Sequence, residues 1–254
     1  MLSKNKLKEI KALHLSKFRK EENLFLVEGP KVVAEFIESD FDIKEIFATT
    51  DWLAENSSLT HNILCQEIGE DDLKKISLLN TPNKVMAVVE MKHFELPEDL
   101  TFLQQDLNIV LDTIQDPGNM GTIIRIADWF GIQYIFASNE SVDFYNPKVV
   151  QSAMGSLKRV KVIYCDLPLF LTKSKDIPVY GALLEGKNLY EENIENKGLL
   201  IIGNESKGIS NELLTYINKP LKIPFYSNQH AESLNAAIAS GIIISEFRRQ
   251  KFLK

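Results

Sequence analysis

The chain has 254 residues, 44% apolar and 25% charged, with a formal net charge of −6. That allows one large globular domain or two small ones. Its two cysteines, Cys65 and Cys165, lie far apart and outside any Cys-x-x-Cys, which excludes a disulfide framework and a cysteine-based zinc site. The N-terminus carries no apolar signal-peptide core, so a cytoplasmic location is expected. Global acidity argues against nucleic-acid binding, but the charges are uneven. Lys4, Lys6, Lys8, Lys11, Lys17, Arg19 and Lys20 stand against a single acid, Glu9, between Lys4 and Lys20. Further clusters are Lys158, Arg159 and Lys161, and then Arg248, Arg249, Lys251 and Lys254. Each is either a phosphate-holding face or an ordinary solvated surface.

Residues 3–18 read as one amphipathic helix. Strand and helix signals then alternate: a strand at 24–27, a helix at 30–38 and a strand at 43–48. After these come a helix near Asp51, a strand at 62–65, a helix at 70–76 and a strand at 84–91. The stretch 93–105 holds Pro97, several acids and little periodicity, which places a linker at 96–106 between domains 1–95 and 107–254. Alternation resumes with strands at 108–111, 134–137, 160–164, 179–183 and 199–202. Helices are read at 122–130, 148–154, near 167 and at 211–217. Apolar strands between helices predict an α/β fold with a parallel sheet covered on both faces.

A short strand, 221–223, stops at Pro224, and a helix starts from Glu232. Leu234, Ala236, Ala237, Ile238, Ala239, Ile242, Ile243, Ile244 and Phe247 cover every side of it, so it should be buried all round. Glu246, Arg248 and Arg249 cut it too short for a membrane span.

Ligands of open parallel sheets bind beyond the carboxyl ends of strands. Three loops there are unusual. The first is Asp112–Arg125, with Pro117, Gly118 and Gly121 bending the backbone, Asn119 at a helix start, and Arg125 two turns into an otherwise apolar helix. A guanidinium in that setting needs an anionic partner or ligand; the structural alternative is an Asn119 cap and an Arg125 salt bridge. The second is Gly203-Asn204-Glu205 through Gly208. Its glycine spacing mimics a phosphate-binding loop, but Ile209 stands where the lysine belongs, which rejects a nucleotide triphosphatase. The third runs from Ile223 to Ser233-Leu234-Asn235. GxGxxG, HExxH and GxSxG are all absent. His230 reads as an exposed loop residue, Cys165 as a small core residue, and no metal-binding constellation is visible.

These three loops, in this order, resemble the signature motifs of the SpoU (TrmH-like) family of RNA ribose 2'-O-methyltransferases in the SPOUT superfamily. Phe25-Leu-Val-Glu-Gly-Pro-Lys31 is similar to the substrate-binding domain many members carry, and Asn146-Pro147-Lys148 with Ser152 and Gly155 resembles the family's middle segment. The resemblance implies a C-terminal trefoil knot, a homodimer and S-adenosylmethionine as methyl donor, with no metal or membrane. It assigns Asn119, Arg125, Glu205, Ser233 and Asn235 to the reaction centre. Cofactor contacts would fall on Gly203, Ile223, Leu234, Leu183 and Gly186. The substrate implied is structured RNA, ribosomal ahead of transfer RNA. The alternatives are a non-catalytic RNA-binding protein that keeps the fold and a Rossmann-like small-molecule enzyme.

Overall fold

The computed structural model describes residues 2–226 and 232–252. The chain divides into two compact units: residues 1–93 with 143–158, and residues 94–142 with 159–254. The sequence places the boundary in a linker at 96–106. The grouping of 143–158 with the N-terminal residues is not visible there.

The first unit opens with α1 (Lys4–Ala12) and α2 (Ser16–Glu22), not one continuous helix. Arg19 explains the break. It is 1% exposed and donates from Nη1 to the carbonyls of Leu13 and His14, which an unbroken helix would have kept for its own ladder. Its Nε and Nη2 reach Asp143 at 3.2 and 2.6 Å. Then follow β1 (Leu24–Glu28), α3 (Pro30–Ile37), β2 (Ile43–Ala48), α4 (Thr50–Glu55), α5 (Ser57–Thr60), β3 (Cys65–Glu67), α6 (Glu70–Ile76) and β4 (Val85–Glu90). The four strands form one sheet in the order β1-β4-β2-β3. It is mixed: only β2 and β3 run parallel, while β4 is antiparallel to both neighbours. The hydrophobic core on one side joins Leu2, Ile10 and Leu13 to Leu73, Ile76, Phe47 and Met86.

The second unit holds a six-stranded parallel sheet. Its elements are β5 (Leu107–Leu111), α7 (Pro117–Trp129), β6 (Tyr134–Ala137), β7 (Lys161–Tyr164), α9 (Leu167–Lys173), β8 (Val179–Asn188), β9 (Gly198–Ile202), α10 (Asn211–Leu214), β10 (Lys219–Lys222) and α11 (Ala236–Phe252). The helix α8 (Pro147–Ala153) leaves this run between β6 and β7 to pack on β1 in the first unit, where Val149, Val150 and Ala153 are buried. The strand order is β10-β8-β9-β5-β6-β7. β5 and β9 are buried at every position, as expected for the centre of a sheet covered on both faces. One cover is α9 and α10, through Leu167, Phe170, Leu171 and Leu213. On the other, α11 packs against α7 and β8.

Two of the basic clusters are structural. Lys158 pairs with Glu35 at 2.6 Å, and Arg159 with Asp128 at 2.7 Å. Arg248, almost buried, reaches Asp106 and the carbonyl of Phe130, and Arg249 pairs with Glu246. α11 begins at Ala236, four residues later than its pattern suggests, and is not buried all round: Ile243 and Ile244 are core residues, but Ile238 is 57% exposed.

Candidate active site

The site grows from the carboxyl ends of β5, β9, β8 and β10. After β5 the chain turns at Asp112 and Thr113. Asp112 is buried; Oδ2 accepts from the Ser210 N–H at 2.7 Å and Oδ1 from the Thr113 hydroxyl. Thr113 takes a left-handed backbone (φ 58°), and its carbonyl accepts from Nδ2 of Asn204 at 2.7 Å. The loop after β5 is thereby stitched to the loop after β9.

That second loop is a tight hairpin in which Asn204 and Gly208 exchange both backbone hydrogen bonds at 2.9 Å. A Cβ on Gly203 would lie 2.3 Å from the carbonyl carbon of Gly208 and the nitrogen of Ile209, so only glycine fits where the hairpin folds back. The hairpin carries Glu205.

α7 starts at Pro117, and its cap is Asp116, not Asn119: Asp116 Oδ1 accepts from the Asn119 N–H at 2.8 Å. Asn119 sits in the first turn with its amide free for other work. Its Nδ2 donates to Glu205 Oε1 at 2.9 Å, and its Oδ1 accepts from Asn235 Nδ2 at 2.8 Å. Glu205 Oε1 also accepts, more loosely, from the Asp116 N–H at 3.4 Å. Asn235 is in turn the cap of α11: its Oδ1 accepts from the N–H groups of Ala237 and Ile238. Asn235 thus both caps α11 and holds Asn119, since oxygen and nitrogen of one amide do different jobs.

Three of the five reaction-centre residues thus form one chain of hydrogen bonds, Asn235 to Asn119 to Glu205. Arg125 is outside it. Six residues past Asn119, it lies about 9 Å along the helix and roughly 120° round it. It is exposed, and it makes no hydrogen bond or ion pair with any described residue. The apolar setting expected for Arg125 is corrected, and the alternative of a structural salt bridge is not met among the described residues: Arg125 shares a solvent face with Thr122 and Trp129, and Trp129 is 85% exposed. Ser233 is exposed two residues ahead of Asn235. His230 lies outside the described residues.

The remaining predicted residues fall on neighbouring strand ends. β8 and β10 pair at Gly181↔Pro220 and resume at Lys187↔Leu221, so residues 182–186 bulge out of the sheet. Leu183 and Gly186 belong to that bulge. Gly186 lies against β10 so closely that a Cβ would meet the Pro220 carbonyl at 3.1 Å. Ile223 follows β10 half-buried, and Leu234 is 48% exposed beside Asn235. Apolar side chains and exposed backbone at the ends of β10, β8 and β9, three adjacent strands, suit a planar apolar base with a polar tail. Cys165 is no nucleophile: burial, helped by neighbouring Asp166, pushes its thiol up to about 11. Of the residues that hold the loops in register, Asn204 lies in the second sequence motif, whereas Asp112, Thr113 and Asp116 carry no assigned role in the sequence reading. Asp112 and Asp116 flank the turn, and their position was the available signal.

A parallel α/β sheet whose three strand-end loops are joined by the side chains of Asn119, Asn204, Glu205 and Asn235 is the framework of an α/β enzyme with its site beyond the strand ends. Residues 106–245 match the SpoU rRNA Methylase family model, and residues 4–87 the MRM3-like substrate binding domain. The chain is 33% identical over 246 residues to the 23S rRNA (guanosine(2553)-2'-O)-methyltransferase RlmP of Bacillus subtilis, covering 96% of each. Among solved structures it superposes on a TrmH-family protein from Porphyromonas gingivalis with a TM-score of 0.86 and 39% identity, covering 98% of this chain and 99% of that one. The SpoU methyltransferase AviRb of Streptomyces viridochromogenes, solved in complex with AdoMet, gives a TM-score of 0.84 and 26% identity over 99% of each chain. The chain belongs to the SpoU rRNA methylase family. It is an RNA 2'-O-methyltransferase whose methyl donor is S-adenosylmethionine.

Proposed function

We propose that the enzyme methylates a ribose 2'-hydroxyl in ribosomal RNA. The Asn235–Asn119–Glu205 chain supports this reading most directly, because it fixes a carboxylate with one oxygen committed and the other uncommitted among the described residues. Two relatives that match over more than nine-tenths of this chain are named for 23S rRNA, whereas a tRNA (guanosine(18)-2'-O)-methyltransferase matches over 65% of it.

S-adenosylmethionine supplies an electrophilic methyl, and Gly203, Ile223, Leu234, Leu183 and Gly186 would hold it. Glu205 Oε2 accepts the ribose hydroxyl and orients it, with Asn119 keeping the carboxylate in place. Ser233 and Asn235 border the same position. Arg125 is the cation: it holds a phosphate and offsets alkoxide character at the oxygen. It does not act as the base, since a guanidinium keeps its proton in proteins.

A second copy covers the exposed apolar face of α7 and α11. There Ile238 and Trp129 are exposed, and Phe130, Tyr190, Gly241, Ile242, Ser245 and Glu246 line a groove of about 460 Å³. The unit formed by 1–93 and 143–158 recognises the RNA, and the unit formed by 94–142 and 159–254 carries the knotted catalytic fold in the cytoplasm. No helix among the described residues is long and apolar enough to cross a membrane.

The test is transfer of label from S-adenosylmethionine, with a chelator present, into ribosomal and transfer RNA from cells lacking the gene, followed by mapping of the methylated ribose. Label in ribosomal RNA is expected. RNA binding without label would favour the non-catalytic alternative.

A further inference from the structure

The RNA-recognition unit has a cavity that the reaction does not use. It lies at the carboxyl ends of β2 and β3, measures about 590 Å³, and is within the range of small-ligand sites, about 300–1,000 Å³. Its floor is apolar: Ile68 and Leu73 are 3% and 1% exposed. Its wall is polar and uncommitted. The side chains of Asn80, Thr81 and Asn83 make no hydrogen bond with any described residue. Its charges cancel, Asp51 and Glu70 against Lys74 and Lys84, and both lysines already face acids, Asp71 and Glu55. A neutral cavity gives a phosphate nothing over water. An apolar floor under amides that both donate and accept suits a flat ring with a polar edge.

The helix α1 packs against α6, which walls one side of this cavity through Glu70, Leu73 and Lys74. The Leu2 N–H, just ahead of α1, donates at 2.9 Å to Asp72, which lies between the cavity residues Glu70 and Leu73. From there Lys4, Lys8 and Lys11 follow one stripe of α1 at spacings of four and three. All three are exposed and make no ion pair with a described residue. Of the other members of the basic N-terminal cluster, Lys6 pairs with Glu45, Lys17 with Glu21 and Arg19 with Asp143, while Lys20, beyond α1, is exposed and makes no ion pair with a described residue.

We propose that the cavity takes one unpaired nucleobase of the RNA, and that Lys4, Lys8 and Lys11 hold the phosphates leading to it. This rests on the reading above only in that RNA is the substrate. A paired base is not accessible to such a cavity, so the site selects a loop or bulge.

The test uses the full-length protein and protein-free large-subunit ribosomal RNA. Thr81→Trp fills the cavity, and Asn83→Ala removes one edge contact. Each should raise KM for the RNA and weaken filter binding by about tenfold or more, with kcat within about twofold of wild type. Binding of S-adenosylmethionine and the melting temperature serve as fold controls. The salt dependence separates the two parts: cavity variants should keep the wild-type slope, whereas Lys8→Ala should lower it by about one unit. Wild-type KM and affinity in Thr81→Trp overturn the proposal. So does a reduced slope in the cavity variants, which would mean that the cavity holds phosphate. If the wild-type enzyme binds this RNA without methylating it, the catalytic reading fails, while filter binding still decides the cavity.

Discussion

Asn119 and Glu205, 86 positions apart, are joined by a 2.9 Å hydrogen bond from amide nitrogen to carboxylate, and this bond ties the loop after β5 to the loop after β9. Asn119→Ala removes the donor and also strands Asn235 Nδ2. Glu205→Ala removes the carboxylate itself. Both variants should bind S-adenosylmethionine and lose methyl transfer by about 10²–10³-fold, the scale for deleting one group that acts in the transition state. Single-turnover label transfer beside calorimetric cofactor binding measures it. Parallel loss of both would assign the pair to cofactor binding.

Arg125 is solvent-exposed, so its removal should leave the fold alone. Arg125→Ala is expected to melt at the wild-type temperature, a surface change costing within about 0.5 kcal/mol. Methyl transfer should fall about 10²–10³-fold. Arg125→Lys should recover part of the rate, because it restores charge but not the planar fork. A lower melting temperature with normal turnover per folded molecule would mean a structural role.

The second-copy reading turns on α11. Ile243 is 1% exposed, so a charge there would disrupt the monomer core and test nothing about assembly. Ile238, 57% exposed, is the informative position. Ile238→Glu should give a folded monomer in sedimentation at micromolar protein, against a dimer for wild type. Identical sedimentation of the two would remove α11 from any interface.

His14 predicts a pH dependence of stability. Burial holds its pKa below 6.5, with Arg19 and Lys11 adding to the effect against a hydrogen bond from Nε2 to the Ile76 carbonyl. Nδ1 is buried without a partner, so protonation finds no acceptor. A depressed folded-state pKa contributes stability above the unfolded value, and that stability is lost as pH falls through the folded one. Melting temperature should therefore decline below about pH 6.5, and His14→Gln, which keeps a donor for Ile76, should flatten the decline. An unchanged profile in the variant would place the acid sensitivity elsewhere.

Deleting residues 1–93 should not yield a soluble catalytic unit. The deletion removes β1 from α8, baring Val149, Val150 and Ala153, and it leaves Asp143 without Arg19. The milder Arg19→Ala should lower stability by about 3 kcal/mol, as for one partner of a buried ion pair. Denaturant titration reads the second effect, and fractionation after expression reads the first.

Sequence alone located the strand-end loops, because Gly203, Pro117, Asn119 and Asn235 act through local backbone geometry: a close approach, a fixed φ, a helix start. It also gave the alternation of strands and helices and the central, apolar strands β5 and β9, since periodicity depends on neighbours in the chain. It did not show which way Arg125 points. The apolar look of α7 included Trp129, and helical phase alone puts Arg125 on the same face as that exposed indole. Nor did it show that Arg19 leaves the basic surface, that α8 joins the first unit, or that residues 182–186 bulge between β8 and β10. Those outcomes depend on contacts between residues far apart in sequence, Arg19 with Asp143 and Gly186 with Pro220. A side chain's own pattern records how it repeats along the chain; which distant surface desolvates it, and which carboxylate then pairs with it, is decided only when the chain folds.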